Sequence, residues 1–195
     1  MIAALFLILS AIGYRIVVGL YGHSNSIGLL NFAPLAAIAL CAAAYFPRKY
    51  KFTVPMIALL VSDIALNIHY HFSFFTLDVL SHYLGFALVG CLGLLLQNRP
   101  RLATMLPASL AASLIFFVVT NTFSWLSDPG YVKNFAGLIQ SLTTGLPEYS
   151  ATPTWMFFRN SLLSDLFFTA FFVICMSFGR SPERSRSAAA LPRVA

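Results

Sequence analysis

Asp63 and Asn67 stand four residues apart, and His71 follows after another four, with Tyr70 beside it. On a helix that spacing puts all three on one face. Ser161, Asp165 and Thr169 repeat the interval further on, preceded by Arg159 and Asn160. A third stripe, Ser109, Ser113, Thr120 and Ser124, ends beside Asn121 and Trp125. The chemistry open to such groups is recognition more than reaction. The carboxylates could bind a cationic group or take a proton, Arg159 could hold an acid group, and Trp125 could form a stacking wall.

The elements that must position them are oily. Hydrophobic residues make up 59% of the chain and charged residues 9%; the mean hydropathy is +0.82. A water-soluble domain of this size needs far less apolar surface, whereas helices in lipid must be apolar outside as well as inside. The fold expected is therefore an all-α polytopic membrane protein with six transmembrane helices. A span takes roughly 20 apolar residues, which places the six at about 2–20, 33–46, 52–69, 77–95, 102–123 and 157–178. Residues 131–146 carry Phe135, Leu138, Ile139, Leu142 and Leu146 at helical spacing, with Gln140, Ser141, Thr143 and Thr144 opposite. That pattern predicts an amphipathic helix, interfacial or re-entrant.

Basic residues set the expected orientation. Arg48, Lys49, Lys51, Arg99, Arg101, Arg180, Arg184, Arg186 and Arg193 fall on one side of a six-span chain. That side should be cytoplasmic, leaving both termini inside a bacterial inner membrane. The first apolar run lacks a basic n-region and is interrupted by Arg15, so it reads as a retained span, not a signal peptide. Residues 1–179 form a single transmembrane domain, and 180–195 a basic, disordered tail.

Depth brings the polar residues together. Asp63 and Asp165 come out near mid-membrane. Asn67, Asn121, Trp125, Arg159 and Asn160 fall in the outer half, below a loop holding His23 and Asn31. These seven predict an outward-facing substrate pocket with two carboxylates at its floor. The competing reading is structural: hydroxyls on spans often bond between helices, and each aspartate could serve an ion pair or a helix end, with Arg15 or Arg159 as a partner. Arg15 could equally reach the headgroups.

Other chemistry is poorly supported. His69 and His71 are two apart, so on a helix they point away from each other and cannot grip one metal ion. Cys41, Cys91 and Cys175 sit in apolar runs and read as packing residues. No phosphate loop or catalytic triad can be placed, so no cofactor is implied and no enzyme. An intramembrane enzyme would need Asp63 and Asp165 as a reactive pair. The basic charge reports topology, not nucleic-acid binding. The alanines of 33–44, with Gly85, Gly90 and Gly93, let helices approach closely, either inside the bundle or against a partner.

Several stretches carry a resemblance: Asn31 to Leu40, Leu59 to Asp63, Phe116 to Asn121, and most specifically Phe157 to Thr169 with its Phe-Phe-Arg-Asn start. Over about 22–172 the chain resembles an uncharacterised bacterial six-span membrane family labelled as transport proteins. More distantly it is similar to the S (substrate-binding) components of energy-coupling-factor vitamin transporters. That likeness implies an S-component-like bundle, a vitamin-like solute, and a T component with ATPase subunits as partners. It also implies a small-residue contact face on the first span, for which Ala3, Ala4, Ala11 and Gly13 are candidates. The chain departs from the nearer family by an insertion at 148–156, expected over the pocket, and by Ser164 in place of a glycine. The function expected is a small-solute binding or transport component; the alternative is a non-transporting scaffold.

Overall fold

The computed structural model describes residues 2–21, 32–70, 76–97 and 100–178. Among these the chain is all-helical: α1 (Ile2–Tyr21), α2 (Leu35–Tyr45), a 3-10 turn (Arg48–Tyr50), α3 (Thr53–Tyr70), α4 (Leu77–Leu95), α5 (Leu102–Ser127), α6 (Phe135–Leu142) and α7 (Thr154–Phe178). The segments Arg48–His69, Leu102–Ser127 and Thr154–Phe178 are long and apolar enough to cross a membrane. Shorter apolar stretches, Ile8–Leu20, Leu35–Tyr45 and Val79–Leu95, lie in α1, α2 and α4 among the described residues. The tail expected at 180–195 lies outside the described residues.

Polarity is distributed as lipid demands and water would not. Phe6, Ile68, Leu95, Phe167 and Phe178 are exposed, while Ser109, Ser113, Ser164, Asp165 and Thr169 are buried. An apolar exterior needs no water, and buried hydroxyls can bond to neighbouring helices.

The centre is α2. Every residue from Leu35 to Ala44 is buried, ringed by α4, α5 and α7. Its alanines permit that approach. A side chain at Gly93 of α4 would begin 2.6 Å from the Leu40 carbonyl oxygen and 2.7 Å from the Ala43 β-carbon. For α2 and Gly93, close packing is therefore internal. On α1, Ala11 is buried and Gly13 exposed, so the two do not share one face.

Two expected boundaries change. The span read at 33–46 contains a helix of 11 residues, roughly 16 Å long. It starts at the level of Asp165, halfway along α7, because residues 32–34 are not helical. The helix read across 131–146 is cut to Phe135–Leu142. Asn134 caps its start by accepting the Gly137 N–H at 2.9 Å. Gly145, at φ 73, ends it, returning its N–H to the Gln140 carbonyl at 2.8 Å. In α6, Gly137 and Ser141 face inward, while Phe135 and Ile139 face out.

Candidate functional site

Pro34 precedes α2 and has no side-chain acceptor to offer, so α2 starts uncapped by its own sequence. α7 supplies the missing group. Asp165 Oδ1 accepts the Ala37 N–H at 2.9 Å. The other oxygen, Oδ2, lies 2.8 Å from the Ser113 hydroxyl of α5. That hydroxyl is also 3.0 Å from the Ser109 carbonyl, so its single proton has two acceptors. One turn along α7, the Thr169 hydroxyl donates to Ser109 Oγ at 3.1 Å. The stripes on α5 and α7 thus meet as a buried polar seam, with the N-terminus of α2 resting on it.

Above the seam is a cavity of about 310 Å³. Leu35 and Ser113 line it next to the seam, Phe116, Thr120 and Asn121 come from α5, and Phe157 and Ser161 come from α7. His82 of α4 stacks on Phe116 at 5.8 Å and also lines it. The cover comes from the chain between α5 and α7. Tyr131, Thr144, Tyr149, Ser150 and Thr152 all contribute, so part of the segment 148–156 lines this cavity. Gly145 presses that cover onto the start of α7; a side chain there would begin 2.4 Å from Thr154 Oγ1. No Asp, Glu, Lys or Arg lines the cavity. Burial raises the Tyr131 phenol above its ordinary value, and Asp128 and Tyr149 add to the rise, so Tyr131 is a neutral hydrogen-bonding group at physiological pH.

The seven residues singled out by the sequence divide into four sets. Asn121 lines the cavity, and Asp165 reaches it through Ser113. Trp125 braces the cover: its indole N–H donates to the Val132 carbonyl at 2.9 Å. Arg159 and Asn160 do not line the cavity. The guanidinium of Arg159 bonds Asn160 Oδ1 through Nη2 at 3.1 Å and lies over the Trp155 ring at 5.9 Å.

Asp63 and Asn67 belong elsewhere. Asp63 Oδ1 pairs with Arg15 Nη2 at 2.8 Å, with both side chains nearly buried; Arg15 also donates to the Ser62 hydroxyl. Asp63 Oδ2 has no hydrogen-bond partner. With Asn67 and Tyr83, Asp63 borders a mainly apolar cleft of about 550 Å³ between α3 and α4. The two carboxylates therefore do not floor one chamber. Each is held by a different unsatisfied group, Arg15 on α1 for one and the start of α2 for the other. His23, Asn31 and His71 lie outside the described residues. Among the described residues no group of three His, Cys, Asp or Glu is placed to hold a metal ion.

Both polar constellations fall within a single family match. The chain belongs to DUF6580, a family of unknown function, whose model matches residues 1–186. The DUF6580 match takes in the seam, the cavity and the chain that covers it. No curated protein and no solved structure matches the chain. Ser113, Tyr131, Tyr149 and Thr152 were not singled out as binding residues by the sequence. Ser113 had a signal, since it lies on the α5 stripe at the level of Asp165. The tyrosines and Thr152 had none, because they come from irregular chain without a period to read.

Proposed function

We propose that this DUF6580 protein is a six-span component of the bacterial inner membrane that binds a small, neutral solute from outside, for transport. The observation that carries the reading is the cavity between α5, α7 and their connecting chain, lined by hydroxyls, an amide and aromatic rings without a fixed charge. Its volume is at the lower end for small-molecule sites. Flat rings with hydrogen-bonding groups between them suit a polar heterocycle of vitamin-like size. A cationic or anionic solute would meet no Asp, Glu, Lys or Arg there to offset its lost hydration.

Orientation follows from the basic residues. Arg48, Lys49, Lys51 and Arg101 lie at the end opposite the cavity, which supports a cytoplasmic placement of that end and a cavity open to the outside. In the S-component-like arrangement, solute movement would draw on a T component and ATPase subunits, since no energy-converting motif is present in the chain. A scaffold is the second reading. It is favoured by the structural engagement of Asp63 with Arg15 and of Asp165 with α2.

Melting of the detergent-solubilised protein against a panel of neutral heterocyclic metabolites separates the two. A ligand at about 100 times its Kd stabilises by about 2.7 kcal/mol, a rise of roughly 5–10 °C for a chain of this size. Asn121→Leu should abolish that rise while melting near the parent on its own, because Asn121 bonds only locally to the Phe117 carbonyl. A scaffold gives no ligand-dependent rise in either protein.

A further inference from the structure

At the opposite end of the bundle a second cavity, about 970 Å³, opens between the end of α2, the 3-10 turn, the start of α3 and the end of α4. Its walls include Tyr45, Phe46 and Phe52, and its polar groups are Arg48, Lys51 and Gln97. Lys51 is 6% exposed. Its ammonium donates to Gln97 Oε1, a neutral acceptor that leaves the charge uncompensated. The Arg15–Asp63 pair is the salt bridge found among the described residues, so no described carboxylate balances Lys51. No acidic residue occurs in 44–52 or 94–97.

A buried cation beside a roomy cavity calls for an anion. Arg48 reinforces the demand. It stands three residues before Lys51, across a 3-10 turn where positions three apart eclipse, so the two share a side. Tyr45 fixes the mouth by donating from its hydroxyl to the Pro100 carbonyl at 3.2 Å. We propose that this cavity binds a phosphate group, with Lys51 as the buried point charge and Arg48 as the guanidinium at the entrance. A phosphate offers several acceptor oxygens to the two cations and to the Gln97 amide. Two sources share that chemistry: an anionic phospholipid headgroup at the membrane surface and a soluble phosphate.

The test is melting of the full chain in a neutral detergent, with phosphatidylglycerol, phosphatidylcholine or inorganic phosphate added separately. Phosphatidylglycerol or inorganic phosphate should raise the melting temperature by roughly 3 °C, and zwitterionic phosphatidylcholine by much less. A response to phosphatidylglycerol alone identifies the headgroup; a response to inorganic phosphate identifies a soluble ligand. Lys51→Met should erase the rise and melt no lower than the parent without added anion, because it removes an uncompensated buried charge. Should Lys51→Met fail to fold, exposed Arg48→Ala carries the test and should at least halve the rise. No rise with either anion, or an undiminished rise in these variants, overturns the proposal.

Discussion

Asp165→Ala is expected to lower the melting temperature of the solubilised protein by roughly 10 °C. The substitution removes both carboxylate acceptors, the one that holds the start of α2 and the one that faces Ser113 of α5. The Ala37 N–H, bonded at 2.9 Å, loses its partner, and the Ser113 hydroxyl keeps only the Ser109 carbonyl. Water does not replace the lost carboxylate at Ala37, since both Asp165 and Ala37 are buried. An unpaired buried polar group costs about 1–3 kcal/mol, and the small alanine leaves a void that adds to it. A total of about 3–4 kcal/mol corresponds to the stated shift at roughly 3 °C per kcal/mol for a chain of this size. Asp165→Asn keeps one oxygen for Ala37 and should lose about half as much. Solute affinity should fall with stability, because Leu35 and Ser113, the residues that Asp165 positions, both line the cavity. Melting curves and ligand titration on the same preparations check both effects. Unchanged melting would mean that Asp165 does not hold α2.

Arg15 and Asp63 give the second large effect. Their ion pair is nearly buried, with side chains 11% and 12% exposed. Removing one partner leaves the other charge without compensation, at a cost of about 3 kcal/mol or more. Asp63→Ala and Arg15→Ala should each lower the melting temperature by roughly 8 °C. The double variant should lose much less than the sum, because it leaves no orphaned charge; the coupling expected is about 2 kcal/mol. The measurement is a double-mutant cycle on melting. Additive losses would show that the pair does not act as a unit. Solute binding should survive in the double variant, since neither residue lines the cavity between α5 and α7.

Much of this was legible in the sequence, and the limits have physical causes. Long apolar runs gave α3, α4, α5 and α7 within a few residues, because lipid imposes both length and composition on a span. The same signal overstated α2: an apolar run reports what is buried, and α2 is buried by neighbouring helices from end to end. The polar stripes on α5 and α7 did converge, since residues four apart share a face. What each aspartate does was open between solute and structure. Spacing along one helix cannot tell whether Arg15 reaches Asp63 or the headgroups. Nor can it tell that α2 begins beside Asp165 without a cap. Arg159 and Asn160 adjoin the right region, but they bond each other across adjacent positions. The tyrosines over the cavity were silent because irregular chain carries no period.

The claim on which the rest depends is that the cavity over Asn121 holds a small neutral molecule. Native mass spectrometry of the protein released from mild detergent tests it most directly. The parent should retain a non-lipid adduct of vitamin-like mass, and Asn121→Leu, prepared identically, should lose it. A parent that carries no such adduct after expression in rich medium, or an adduct retained equally by Asn121→Leu, would contradict the account.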